Sequence, residues 1–104
     1  MVQETTGVLL ITKERFRQLA EEGWSYRHDD VNGKNSELAY AAATYILLFI
    51  EPDGDHHKLW PWAPFNLKPT PDDPIRQLTK AGALIAAEID RLLRIKAKEP
   101  TKSS

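Results

Sequence analysis

The sequence predicts an all-α fold, a small three-helix domain with two ordered loops rich in aromatic residues and proline. Three segments repeat apolar residues with the period of a helix, and two loops containing Trp, Tyr or Phe separate them. The chain has 104 residues, the length of one domain. We therefore expect a single helical domain over residues 8–96, between a flexible N-terminus (1–7) and a disordered tail (97–104).

The first helix is predicted from about Val8 to Glu22, because Gly23 is a typical helix stop. The spacing assigns five residues to its buried face, namely Leu9, Thr12, Phe16, Leu19 and Ala20. Four charged residues fall away from that face and are expected in solvent, namely Lys13, Glu14, Arg17 and Glu21.

The second helix is predicted over residues 37–50, with Ser36 as its N-cap. Its alanines permit close helix packing, and its apolar character on all sides favours a central position. The third helix is predicted to start at Pro74, after two acidic capping residues. Six of its residues recur at spacings of three and four and predict a face packed against neighbouring helices, namely Ile75, Leu78, Gly82, Ile85, Ile89 and Leu92.

Composition excludes several classes of protein. The net charge of −1 argues against general nucleic-acid binding, which requires a basic excess. The chain has no cysteine, so it has neither disulfides nor a thiolate zinc site, as expected for a cytoplasmic protein. The longest apolar run, residues 39–50, is shorter than the about 20 residues that a membrane span needs.

Two polar segments are candidates for chemistry. In the first loop, Asp29 and Asp30 would supply oxygen ligands for magnesium and His28 would act as a general base. Alternatively, the two aspartates cap turns or pair with Arg27 and Lys34. The second segment, residues 53–57 (DGDHH), fits neither the calcium-loop nor the HExxH spacing, which favours a polar surface loop. We assign no catalytic residue, metal ligand or cofactor.

The aromatic residues of the two loops are candidates for ligand binding. Stacked tryptophans beside arginine or lysine would hold a planar ligand and pair with its phosphate. Alternatively, the aromatic residues fix the loops to a small core. The residues assigned to ligand binding are Trp24, Tyr26, Arg27, His28, Asp29, Asp30, Trp60, Trp62, Lys68 and Arg76.

Five segments together resemble an uncharacterised family of small phage and prophage proteins. They are residues 14–30 (ERFRQLAEEGWSYRHDD), 37–45 (ELAYAAATY), 59–62 (LWPW), 68–69 (KP) and 78–92 (LTKAGALIAAEIDRL). This resemblance implies a phage context, with the host cytoplasm as the location, and no particular mechanism.

A second resemblance is to the RyR domain, the repeat first seen in ryanodine receptors. It rests on residues 23–26 (GWSY) with a following aspartate, on residues 59–62, and on Lys68 and Arg76. Arg27 departs from the glycine of that repeat, and the helix over residues 37–50 is an insertion. The resemblance implies a small recognition module in which the two aromatic loops are adjacent.

Three functions follow as expectations. The first is a non-enzymatic module that binds a small nucleotide-like anion or a host protein. The second is a magnesium-dependent pyrophosphohydrolase similar to the all-α MazG family, although Glu88 and Asp90 lie two residues apart and do not share a helix face. The third is a structural protein that forms a homodimer through its second and third helices.

Overall fold

The described residues form an all-α structure, which confirms the predicted fold class. A computed structural model describes residues 6–21, except the side chain of residue 21, and residues 36–98. They contain the helices α1 (Thr6–Glu21), α2 (Glu37–Ile50) and α3 (Pro74–Lys98) and no β-strand. Two single turns of 3-10 helix, His57–Leu59 and Pro64–Asn66, lie in the loop between α2 and α3. The predicted loop over residues 24–35 lies outside the described residues.

The helix ends differ by about one turn or less from those predicted. α1 begins at Thr6 and α3 continues to Lys98, so both helices extend two residues beyond the expected domain limits of 8 and 96. Asp73 caps α3, because its Oδ1 accepts a hydrogen bond from the Arg76 backbone N–H at 3.0 Å. Ser36 is the N-cap of α2 as predicted, although its side chain makes no capping hydrogen bond.

The core is formed by small and medium-sized side chains of α2 and α3. Alanine allows the two backbones to approach closely, as the alanine-rich sequence predicts. Partly buried side chains of the following loop, including Trp60 and Trp62, pack against this core. The buried residues of the cluster are Leu38, Ala41, Ala42, Tyr45, Ala81, Leu84 and Ala87.

Gln77 ties the second loop to both central helices. It is buried, its Nε2 donates to the Tyr45 carbonyl at 3.1 Å, and its Oε1 accepts from the Thr70 backbone N–H at 2.8 Å. A buried amide with partners on both sides gives this loop a fixed attachment. The loop is therefore held by polar contacts as well as by its aromatic residues.

The predicted buried face of α1 is wrong. Leu9 and Phe16 are exposed, whereas Glu14, Arg15 and Gln18 are buried. Glu14 is buried together with its ion pairs, because Arg17 and Arg76 donate hydrogen bonds to its carboxylate. α1 turns Glu14 towards α3 and leaves three large apolar residues in solvent, namely Val8, Leu9 and Phe16.

The six-residue face of α3 is mostly exposed, so the predicted packing against neighbouring helices is wrong for the described helices. Five of its six members are exposed, namely Ile75, Leu78, Ile85, Ile89 and Leu92. Gly82 is the exception, since a Cβ atom built on it would lie 2.5 Å from Ile11 Cδ1. α1 therefore contacts this face of α3 at Gly82, through Ile11.

Candidate functional site

Six of the ten residues assigned to ligand binding lie outside the described residues. They are Trp24, Tyr26, Arg27, His28, Asp29 and Asp30. The assignment of the first loop therefore stays a prediction. The four remaining residues, Trp60, Trp62, Lys68 and Arg76, have defined positions.

Trp60 and Trp62 lie against α2. Their rings pack edge to face, with 5.2 Å between the ring centres. Trp60 also packs edge to face against Tyr45, with 5.5 Å between the ring centres. The indole N–H of Trp60 donates to the Ala63 carbonyl at 3.0 Å. Both tryptophans are half-buried, so they contribute to the core while keeping part of each side chain at the surface.

Lys68 contacts the same part of α2 through its backbone. Its N–H donates to the Tyr45 hydroxyl at 3.2 Å, and its carbonyl accepts from Lys80 Nζ at 2.8 Å. Lys80 Nζ also lies 5.8 Å from the centre of the Tyr45 ring. The side chain of Lys68 is left in solvent.

Arg76 lies instead in a groove between α1 and the first two turns of α3. The groove has a volume of about 340 Å³. We call it the α1–α3 groove, and its lining residues are Leu10, Lys13, Glu14, Arg17, Asp73, Ile75, Arg76 and Thr79. Neither Trp60 nor Trp62 lines it, so Arg76 has different neighbours from those the sequence suggested.

Glu14 is the charged centre of the groove. Arg17 Nε and Nη2 donate to its two carboxylate oxygens, each at 2.8 Å, and Arg76 Nη1 donates to Oε1 at 2.6 Å. Gln18 Nε2 donates to Oε2 at 3.0 Å. One buried carboxylate thus positions two guanidinium groups from two helices.

The pKa of Glu14 reflects these contacts. Burial raises it, but the hydrogen bonds from Arg17, Arg76 and Gln18 and the charge of Arg76 outweigh burial and lower the pKa from 4.5 to about 2. Glu14 is consequently ionised at neutral pH. It is thus fit to hold the two arginines and unfit to act as a general base near pH 7.

The groove keeps a positive charge after these pairings. Lys13, Arg17 and Arg76 contribute three positive charges against the two negative charges of Glu14 and Asp73, a net charge of +1. Lys13 makes no ion pair with the residues that the structure describes. Leu10 and Ile75 add an apolar wall. Such a cleft suits an anion attached to a small apolar or planar group.

The sequence places Lys13, Glu14 and Arg17 on the solvent side of α1 and assigns none of them to a site. Lys13 is exposed as predicted, whereas Glu14 is buried and Arg17 is partly buried. Their spacing contained a usable signal. Glu14, Arg17 and Gln18 stand at i, i+3 and i+4 and so share a helix face. The sequence does not reveal that Arg76, 62 residues away, completes the cluster.

The second polar segment forms local contacts. Asp55 Oδ2 lies 3.5 Å from Lys58 Nζ, and His56 Nε2 lies 3.1 Å from the Glu51 carbonyl oxygen. Within residues 6–21 and 36–98, no three His, Asp or Glu side chains are grouped so that they could hold a metal ion. The described part of the chain also has no helix with the length and apolarity needed to cross a membrane.

No family model, curated protein or solved structure matches the chain.

Proposed function

We propose that this protein is a small binding module for an anionic ligand, which it holds in the α1–α3 groove. The ligand is a phosphate or carboxylate compound that also carries a small apolar or planar group. This is the class of function expected from the sequence, namely recognition of a small nucleotide-like anion. The residues assigned to it change: Arg76 is kept, and Lys13 and Arg17 are added.

Arg76 carries the proposal. A guanidinium has five N–H donors, and only Nη1 of Arg76 contacts Glu14. Its Nε and Nη2 make no hydrogen bond to residues 6–21 or 36–98, and the side chain is 36% exposed. The group is therefore fixed by Glu14 while its remaining donors are available to the groove. A fixed planar donor fork is well suited to phosphate or carboxylate oxygens.

Lys13 and the apolar wall complete the proposed mode of binding. The Lys13 ammonium adds a third positive charge to those of Arg17 and Arg76 in the groove. Leu10 and Ile75 would cover an apolar or planar part of the ligand, which phosphate alone lacks. The volume of about 340 Å³ is at the lower end of the range for small-molecule sites, so the ligand would be small.

Titration calorimetry and thermal shift with inorganic phosphate, AMP and adenosine test this proposal. AMP should raise the melting temperature of the full chain most, phosphate less, and adenosine least, since both the charge and the apolar group contribute. Lys13→Gln should weaken AMP binding about five- to tenfold without loss of stability, because Lys13 takes no part in the Glu14 cluster. Arg76→Gln should weaken it about tenfold or more.

Lys58→Gln is the matched control. Lys58 is exposed, and it pairs with Asp55 in the second loop, away from the groove-lining residues. The Lys58→Gln protein should bind AMP with the affinity of the wild type. Failure of AMP and phosphate to stabilise the wild type would refute the proposal, as would an affinity that Lys13→Gln and Arg76→Gln leave unchanged.

A further inference from the structure

One face of α3 presents apolar side chains to solvent on both sides of Gly82, where Ile11 of α1 contacts the helix. The members of this stripe are the five exposed apolar side chains in line with Gly82, namely Ile75, Leu78, Ile85, Ile89 and Leu92. Each is between 39% and 66% exposed. The positions follow one another at three or four residues, so they share a helix face, and none of them is charged. An apolar surface of this extent on a small protein marks an interaction site.

The stripe lies where α3 lacks a neighbour among the described residues. α2 packs against the side of α3 that carries Ala81, Leu84 and Ala87. α1 packs across Gly82 through Ile11. The remaining side of the helix carries the five exposed side chains, and the helix of 25 residues is about 37 Å long.

We propose that a second copy of this chain covers the stripe, with the two α3 helices antiparallel. The order of apolar positions is the same from either end of the stripe, because the spacings of three, four, three, four and three residues are symmetric about the midpoint between Gly82 and Ile85. A two-fold axis there would place Ile75 against Leu92 and Leu78 against Ile89. The second copy would lie on the Ile85 side of Gly82, because Ile11 of the same chain occupies the space beside Gly82. One surface would thus complement itself, as a symmetric dimer requires.

The charges at the helix ends favour the antiparallel arrangement. Asp72 and Asp73 precede α3, and Lys96 and Lys98 end it. In an antiparallel pair Lys96 of one copy would lie beside Asp72 of the other. A parallel pair would bring like charges together at both ends, which disfavours it.

The exposed area is sufficient for a weak to moderate dimer. Leu93, 58% exposed, adjoins the stripe and adds a sixth apolar side chain. Six such residues present roughly 500–600 Å² per copy, so a dimer would bury about 1,100 Å² of apolar surface before its polar rim is counted, near the about 1,200 Å² at which specific interfaces begin. We expect a dissociation constant in the micromolar range.

Sedimentation of the full chain at concentrations from about 1 µM to 1 mM tests the dimer. The wild type should pass from monomer to dimer across this range, and Ile89→Glu should stay monomeric. Ile50→Glu is the matched control, because Ile50 is 61% exposed at the end of α2 and lies outside the stripe. It should dimerise as the wild type does.

Disulfide cross-linking tests the antiparallel orientation of the two α3 helices. The chain has no cysteine of its own, so only the introduced cysteines can form a disulfide. A mixture of Leu78→Cys and Ile89→Cys proteins should form a disulfide-linked heterodimer, whereas neither variant should cross-link efficiently with itself. Cross-linking of each variant with itself would overturn the antiparallel arrangement. A wild type that stays monomeric at 1 mM, or an Ile89→Glu protein that dimerises normally, would overturn the stripe as the interface.

Discussion

Replacement of Glu14 by glutamine should destabilise the fold at neutral pH and leave it almost unchanged at low pH. The substitution keeps the shape of the side chain and removes the charge that Arg17 and Arg76 share. The fall in the pKa of Glu14 from 4.5 to about 2 corresponds to a free energy of about 3 kcal/mol favouring the ionised form in the folded state. Part of the hydrogen bonding survives in the amide, so we expect a loss of about 2–3 kcal/mol at pH 7.

The pH dependence follows from the direction of the pKa change. Because the folded-state pKa lies below the unfolded value, this stabilisation is complete above about pH 4.5 and is lost as the pH falls towards 2. The difference in unfolding free energy between wild type and Glu14→Gln should therefore close over that interval. Other carboxylates titrate in both proteins, so the difference isolates Glu14.

Urea denaturation at pH 7, 4.5 and 3, followed by circular dichroism, measures this difference. Asp55→Asn is the control, because its ion pair with Lys58 is exposed and its loss should change stability by less than about 0.5 kcal/mol. A loss in Glu14→Gln that stays constant as the pH falls would mean that packing, rather than charge, stabilises the groove. No loss at pH 7 would refute the role of Glu14 altogether.

Two further predictions concern packing around α3. Gly82→Ala should cost about 1 kcal/mol, because the new Cβ would lie 2.5 Å from Ile11 Cδ1 and outweigh the better helix propensity, and in an Ile11→Ala background the same change should become stabilising. Thermal denaturation of the wild type, the two single variants and the double variant measures the coupling energy between Gly82 and Ile11. Gln77→Ala should cost about 2 kcal/mol, because the Thr70 N–H and the Tyr45 carbonyl each lose a partner. Hydrogen exchange at the Thr70 amide should become faster in that variant, and unchanged exchange there would contradict the attachment.

Helix positions were predictable because capping and periodicity are local. Asp73 and Pro74 mark the start of α3 in the sequence, and the structure has the same start. The buried face of α1 was not predictable by the same means. Apolar periodicity predicts burial only for apolar residues, whereas Glu14 is buried because arginines from two helices neutralise it.

The face of α3 was misassigned for a different reason. Spacing shows which side chains share a face but not which molecule covers it. Within the chain, α3 is packed through its alanines and Leu84, because the alanine-rich side of α2 permits close approach. The larger residues of the stripe, from Ile75 to Leu92, are therefore exposed, and pairing with a second copy would bury them.

The proposed groove and the proposed dimer share one residue. Ile75 lines the α1–α3 groove and is also the first member of the stripe. In the antiparallel dimer, Leu92 of the second copy would cover Ile75 from outside, and Lys96 of that copy would approach Asp72 beside the groove. Dimerisation would then make the groove both more enclosed and more positive.

Anion binding and dimerisation should consequently strengthen each other by the same factor, since coupling between two binding equilibria is reciprocal. Sedimentation with and without saturating AMP should show about a fivefold or greater tightening of the dimer. Calorimetry well below and well above the dimer dissociation constant should show an equal tightening for AMP. Lys96→Gln should reduce the coupling while leaving the monomer's affinity for AMP unchanged, because Lys96 reaches the groove only from the second copy. If AMP leaves the dimer dissociation constant unchanged, Ile75 does not couple the α1–α3 groove to the dimer interface.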